Sequence, residues 1–188
     1  GNSRTSSPVS VTIVGGTAYP YAEAVLNDNP SLYYQLGGST LDLAGNNPPF
    51  YGADVSTVTP GGVTGSIASA SNFTGANTSI VSSSSTSPLT SGMSQELWFK
   101  TTGNTGGKLI GYGNKKDTNS TTTDRNVYLT NAGKVVFGVY SGKARTVISP
   151  KAYKDGAWHH LVATLGDDGM KLYVDGELVG SNADITAG

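Results

Sequence analysis

Short apolar segments alternate with clusters of Gly, Asn, Ser and Asp along almost the whole chain of 188 residues. The segments that the pattern predicts as strands lie around 67–73, 78–81, 95–101, 108–112, 126–129, 134–140, 144–148, 158–165, 170–174 and 177–180. Short strands at a spacing of about 8–12 residues, with almost no helix, are typical of an antiparallel sandwich or barrel. The pattern therefore predicts an all-β fold.

Two turns fix the connection between neighbouring strands. Asp175-Gly176 separates two apolar runs, which is a strong hairpin signal because both central residues of such a turn need a positive φ. Earlier in the chain, the segment 131–133, Asn-Ala-Gly, similarly connects the strand predicted at 126–129 with the strand predicted at 134–140. The polar runs 82–87 and 115–125 are predicted loops, and the second is either a loop at the rim of a binding site or a plain solvated insertion.

The beginning of the chain departs from this pattern. Residues 9–14 alternate between apolar and polar types and predict a strand that is the last strand of a preceding domain, a linker strand, or an arm that pairs with another chain. Residues 21–26 predict a short helix, and 31–36 predict a strand. We therefore divide the chain into an N-terminal arm or linker strand, 1–18, and a β domain, 19–188.

Composition excludes several classes of protein. The chain has 22 Ser, 22 Thr and 26 Gly but only 13% charged residues, a bias common in extracellular β proteins. It has no Cys, which excludes disulfides, thiolate zinc sites and cysteine nucleophiles. Twelve Lys and Arg against 13 Asp and Glu give no basic excess for nucleic-acid binding, and no apolar run is long enough to span a membrane as a helix.

The sequence offers few catalytic constellations: its serines leave a Ser–His–Asp arrangement open, but no Gly-x-Ser-x-Gly motif occurs. His159 and His160 are adjacent on a predicted strand and therefore point to opposite faces, so they cannot hold one metal ion together, and a structural role is favoured for His160. Glu96 has no acidic residue two or four positions away, although a sandwich-shaped glycosidase needs two carboxylates on one face. No phosphate loop, dinucleotide fingerprint or zinc-protease motif occurs. We expect no enzymatic activity.

One loop carries oxygen ligands of the kind that calcium prefers. Asp42 and Asn46 lie in the segment 42–47, where side-chain oxygens and backbone carbonyls could hold a Ca²⁺ ion. The same residues also form Asx turns without any ion. The sequence leaves both interpretations open: a structural calcium ion is the candidate cofactor, and no cofactor is required.

The C-terminal hairpin resembles a known family. The segments 157–164, Ala-Trp-His-His-Leu-Val-Ala-Thr, and 169–179, Gly-Met-Lys-Leu-Tyr-Val-Asp-Gly-Glu-Leu-Val, look like the most recognisable strands of laminin-G-like domains in the concanavalin A-like lectin/glucanase superfamily. Other segments match in the family's order: 30–37, 42–46, 96–101, 109–113, 124–129 and 133–139. The resemblance runs from about Tyr21 to the end of the chain. It implies a two-sheet antiparallel jelly-roll sandwich, and the strand predicted at 9–14 is then an extra N-terminal strand.

The resemblance also implies a function. It implies a secreted or cell-surface module that binds or adheres to a glycan or a surface protein, and the missing pair of carboxylates favours a module without catalysis. The tyrosines near strand ends or loops are the candidate ligand-binding residues: Tyr112, Tyr140 and Tyr153. The large apolar residues on strands are expected to fill the core: Trp98, Phe99, Phe137 and Trp158. Alternatives are a structural subunit of a surface filament or phage appendage assembled by strand exchange, and a glycoside hydrolase of the same fold.

The chain departs from the family pattern after the segment 181–184. Members usually continue for roughly 40–50 residues beyond the segment equivalent to 181–184, and a sandwich without those strands would open a sheet edge to another chain. We therefore expect the edge to pair with another copy of the chain, with a C-terminal fragment, or with residues 9–14. In the family the late acidic strand commonly shares the calcium ion with the opening loop, so Asp42 and Asn46 supply half of that site.

Overall fold

The computed structural model describes residues 20–63 and 69–188, so the strand predicted at 9–14 and the arm 1–18 lie outside the described residues. In this part of the chain, one helix, α1 (Pro20–Asn27), precedes twelve strands. The strands are β1 (Pro49–Tyr51), β2 (Val55–Val58), β3 (Ala70–Phe73), β4 (Val81–Ser83), β5 (Met93–Phe99), β6 (Gly107–Gly113), β7 (Thr123–Leu129), β8 (Lys134–Ser141), β9 (Lys143–Ala152), β10 (His159–Gly166), β11 (Gly169–Val174) and β12 (Glu177–Asn182). No helix in the described ranges is long and apolar enough to cross a membrane.

Two four-stranded antiparallel sheets form the body of the domain. The first sheet has the order β12-β11-β10-β5, and the second has the order β6-β7-β8-β9. Alternate residues of β10 are buried, which is the period-2 pattern of a strand with one face on a core. The predicted all-β antiparallel sandwich is confirmed.

The inner faces of the two sheets share one hydrophobic core. Its members are Phe99, Val127, Leu129, Val135, Phe137, Val139, Val147, Tyr153, Leu161, Ala163, Leu165, Met170, Leu172, Val174 and Ile185. Residues from β7 and β8 meet residues from β10 and β11, so the core lies between the central strands of each sheet. Burial of this apolar surface is the main force that stabilises the sandwich.

The two tryptophans lie outside this core, contrary to the sequence prediction. Phe99 and Phe137 are buried between the sheets as expected, whereas Trp98 and Trp158 are only partly buried. Trp98 precedes the inward-facing Phe99 and pairs with His160, so it points to the outer face of the first sheet. The prediction was wrong because residues from the first half of the chain cover that face and supply an apolar environment there.

Helix α1 and the loop after β2 provide this cover. The ring of Tyr21 in α1 packs edge-on against Trp98 at a centroid distance of 6.1 Å. Strands β1 and β4 form one two-stranded sheet, and β2 and β3 form another. Gly62, in the loop after β2, packs on the indole of Trp158, where an added Cβ would lie 2.7 Å from Cδ2. Only a residue without a side chain fits this contact.

Local predictions near the chain's two ends had different outcomes. The Asp175-Gly176 turn is confirmed, with φ values of 55° and 81°. The helix predicted at 21–26 is also confirmed as part of α1. The strand predicted at 31–36 is wrong, because the backbone N–H of Tyr33 donates to the Asp42 carboxylate at 2.9 Å instead of to a strand partner, and Leu36 has a φ of 57°.

Candidate functional site

The outer face of the second sheet contains a depression at Gly138. This glycine lies in the middle of β8, and its strand neighbours are Asn126 on β7 and Thr146 on β9. The depression has a volume of about 200 Å³. Because Gly138 has no side chain, the backbone of β8 forms its floor while the side chains of the adjacent strands form its walls.

Aromatic and apolar side chains lie on both sides of the depression. Tyr128 pairs with Val136, which in turn pairs with the exposed Ile148, so these three form one row across the sheet. Tyr140 lies on the other side of Gly138 and is 61% exposed. The rows of Tyr128 and Tyr140 are separated by four residues of β8, or roughly 13 Å. An extended ligand could contact both rings.

Asp124 lies between Tyr140, at one end of the depression, and the buried guanidinium group of Arg125. Its Oδ1 accepts the backbone N–H of Tyr140 at 2.9 Å, and its Oδ2 accepts a hydrogen bond from Arg125 Nη1 at 2.6 Å. The Arg125 side chain is 3% exposed and points between the sheets. The carboxylate is therefore paired and held in place, while it still lines the depression.

The structure places the three predicted tyrosines in different environments. Tyr140 lines the depression, and Tyr112 pairs with Asp124 across β6 and β7, so these two flank the same carboxylate. Tyr153 is 2% exposed and packs edge-on against the His159 ring at 5.0 Å. The expectation that Tyr153 is an exposed stacking residue was wrong, because the chain after β9 turns this ring into the core.

Sequence reasoning missed the other residues that line the depression. They include Asp124, Asn126, Tyr128, Gly138 and Thr146. One signal was available: an isolated glycine inside an otherwise apolar strand marks a bulge or a place where another backbone or a ligand approaches closely. The remaining residues come from strands that only the pairing register brings together.

Glu96 and His160, the residues considered for catalysis, lie on the other sheet. Glu96 Oε1 accepts a hydrogen bond from the Tyr21 hydroxyl and lies 2.9 Å from His160 Nε2. The hydrogen bond with His160 is the main cause that lowers the pKa of Glu96, while burial opposes it. Burial, followed by the hydrogen bond with Glu96, raises the pKa of the Tyr21 hydroxyl. The cluster fastens α1 to the first sheet, which agrees with a structural role for His160.

His159 points the other way and joins two acidic residues at the end of the first sheet. Its Nδ1 lies 2.8 Å from Asp175 Oδ2, and its Nε2 lies 3.1 Å from Asp155 Oδ1. Burial disfavours the charged ring, but the hydrogen bonds and charges of the two carboxylates outweigh it, so the pKa of His159 is raised. The Asp175-Gly176 turn is thereby tied to the loop before β10.

Asp42 uses its carboxylate to organise its own loop. Oδ1 accepts backbone N–H groups of Tyr33 at 2.9 Å and Ala44 at 3.1 Å, and Oδ2 accepts that of Asn47 at 3.2 Å. Asn46 is exposed. Within residues 20–63 and 69–188 there is no group of three or more His, Cys, Asp or Glu that could hold a metal ion. The three N–H groups around one carboxylate form an Asx-type loop, and the calcium ion at Asp42 and Asn46 stays a prediction.

Removal of the Asp42 carboxylate should therefore destabilise the domain even when no calcium is present. We expect Asp42→Ala to lower the free energy of unfolding by about 1–3 kcal/mol, because three backbone donors lose their acceptor. Asn46→Ala, at an exposed position of the same loop, should change it by less than about 0.5 kcal/mol. Urea denaturation in EDTA measures both. An Asp42→Ala variant as stable as the wild type would contradict this, and a calcium-dependent gain that both variants lose would place the ion at this loop.

Comparison with known proteins agrees with the architecture. A search of curated proteins returned no match. The sequence profile of the concanavalin A-like lectin/glucanases superfamily, in its laminin G form, matches residues 73–187, which is more than half of the chain and extends from the end of β3 past β12. Both four-stranded sheets and the depression at Gly138 lie within the matched region. The chain therefore belongs to the concanavalin A-like lectin/glucanase superfamily.

Proposed function

We propose that this protein is a non-catalytic, extracellular module that binds carbohydrate in the depression at Gly138. The observation that carries the proposal is the arrangement of Tyr128 and Tyr140 on either side of a glycine floor, on an outer sheet face. Tyrosine rings present an apolar face and a hydroxyl group, so they suit the mixed surface of a sugar. Membership in a superfamily of carbohydrate- and protein-binding modules supports the same class of function.

Polar groups around the rings support a carbohydrate over an apolar ligand. Asp124, Asn126 and Thr146 line the depression together with the two tyrosines. A binding site for a small ligand combines an apolar surface with a few fixed polar groups that orient it. The charge of Asp124 is balanced by Arg125, which favours a neutral ligand rich in hydroxyl groups.

The Ser- and Thr-rich composition supports an extracellular location.

The surroundings of Glu96 support a non-catalytic role. A glycosidase of this shape needs two carboxylates on one face, at about 5–10 Å from each other. The hydrogen-bonding neighbours of Glu96 in the described part of the chain are instead Tyr21 and His160. Incubation with the polysaccharide that the protein binds should therefore release no new reducing ends.

Filling the depression tests the proposed site. The wild type should bind one or more glycans on an array, and calorimetry with the strongest of them should give a saturable affinity. We expect Gly138→Val to weaken that affinity at least tenfold, because the new side chain occupies the floor, where its Cβ would lie 3.3 Å from the Thr146 methyl and 3.7 Å from the Arg145 carbonyl oxygen. Tyr140→Ala should have a similar effect through loss of the exposed ring.

Two matched variants control for nonspecific effects. Gly107→Val places the same side chain on the same sheet, where an added Cβ meets nothing within 4 Å, and it should bind as the wild type does. Tyr173→Ala removes a ring from the outer face of the first sheet and should also leave the affinity unchanged. Binding of no glycan, or equal affinities for Gly138→Val and Gly107→Val, would contradict the proposal.

A further inference from the structure

A second depression lies on the opposite side of the sandwich, where the β2–β3 hairpin meets the end of the first sheet. Its volume is about 270 Å³. Its lining includes Thr59 and Pro60 from the loop after β2, Asn72 from β3, and Lys100 and Trp158 from the ends adjoining β5 and β10. It shares no residue with the depression at Gly138, so it requires an explanation of its own.

The strand register explains why an indole and an ammonium group meet here. His159 pairs with Phe99, and both point into the core. Trp158 and Lys100 are their sequence neighbours and therefore share the outer face of the same sheet end. Gly62 covers part of the Trp158 ring, and the rest lines the depression. The contact with Gly62 fixes the position of the ring before any ligand arrives.

Lys100 has no acidic partner among the residues that the structure describes. The carboxylate ion pairs of the described residues involve Arg125, Lys171, His159 and His160, and none involves Lys100. The segments 1–19 and 64–68 contain no Asp or Glu, so their side chains cannot supply one. A cation at the rim of a depression, without a counterion, attracts a negatively charged ligand.

The other lining groups narrow the chemistry of that ligand. The indole of Trp158 offers a flat apolar surface, while Asn72 and Thr59 offer an amide and a hydroxyl group for hydrogen bonds to neutral polar groups. One ammonium group matches one carboxylate. A volume just below the range of drug-sized sites suits a single ring. An acidic sugar has all of these features: a C–H face, several hydroxyl groups and one carboxylate.

We propose that this depression is a second carbohydrate site, specific for a uronic acid residue. The sugar ring stacks on Trp158, its carboxylate pairs with Lys100, and its hydroxyl groups bond to Asn72 and Thr59. The carboxylate is ionised at neutral pH, because its pKa is close to that of an ordinary carboxyl group. Two sites on opposite faces would allow the module to distinguish a polysaccharide with acidic units from a neutral one.

Nuclear magnetic resonance of the two indole N–H groups provides a direct test. The chain has two Trp residues, so a ¹⁵N-labelled sample gives two indole signals, and Trp158→Phe identifies one of them. We expect trigalacturonate to shift the Trp158 signal in a saturable manner and to leave the signal of Trp98 unchanged, since the indole nitrogen of Trp98 is buried. The methyl ester of the same trisaccharide, which lacks the charge, should bind about tenfold more weakly.

Charge variants complete the test. Lys100→Gln should weaken trigalacturonate binding about tenfold and remove most of its dependence on salt, whereas Lys143→Gln, at an exposed lysine of β9, should change neither. Gly138→Val should leave this binding intact, which separates the result from that of the first site. The proposal is overturned if trigalacturonate fails to shift the Trp158 signal, if the ester binds equally well, or if only an acidic peptide shifts it.

Discussion

Replacement of Arg125 with Met is expected to lower the free energy of unfolding by about 3–5 kcal/mol. The guanidinium group is buried and joins three separate segments of the chain. It donates to Asp124 Oδ2 at 2.6 Å, to the Thr90 carbonyl at 3.2 Å and to the Gly188 carbonyl at 2.6 Å. Met fills a similar volume but donates no hydrogen bond, so one carboxylate and two carbonyl groups lose their partner in or near the core.

The cost should come mainly from the carboxylate that is left behind. Removing one partner of a buried ion pair costs more free energy of unfolding than removing both partners, because the remaining charge stays desolvated. The double variant Asp124→Asn, Arg125→Met should therefore regain part of the lost stability. Lys143→Met, which removes an exposed cation from the same sheet, should change the free energy by less than about 0.5 kcal/mol.

Urea denaturation monitored by circular dichroism measures all three variants. An Arg125→Met variant within about 1 kcal/mol of the wild type would show that the buried cation contributes little to folding. A double variant that is less stable than the single one would show that Asp124 stabilises the fold without Arg125.

The strand pattern could be predicted from the sequence because it depends on local properties. Alternation of apolar residues identifies the strands, and Asp175-Gly176 identifies its hairpin because few other residue pairs adopt two positive φ values. The strand predicted at 31–36 was wrong because its apolar residues pack beside a loop, where Asp42 takes the backbone N–H of Tyr33. Alternation predicts which residues share a face, but it does not reveal what covers that face.

The candidate sites depend on contacts between distant segments. Tyr140 was identified because an exposed tyrosine near a strand end is visible in the sequence, whereas its counterpart Tyr128 comes from another strand. Trp158 was assigned to the core because a large apolar residue on a strand usually packs there. Its true position depends on Gly62, almost a hundred positions earlier, and on the β2–β3 hairpin. No local pattern contains that information.

Strands β8 and β9 have one face on the core and the other on the proposed ligand site, so substitutions on the two faces should differ strongly in their effect on stability. Phe137→Ala should lower the free energy of unfolding by about 3–5 kcal/mol, since its ring is fully buried between the sheets and its removal leaves a cavity.

Ile148→Ala is the matched change on the opposite face. Ile148 is 51% exposed on the outer surface of the second sheet, so the loss should be below about 1 kcal/mol. Thermal and urea denaturation of the two variants measure the difference. Comparable losses would mean that another part of the protein covers the outer face. In that case the depression at Gly138 would be closed to a glycan. Because of the same cover, Gly138→Val would then have no effect on glycan binding.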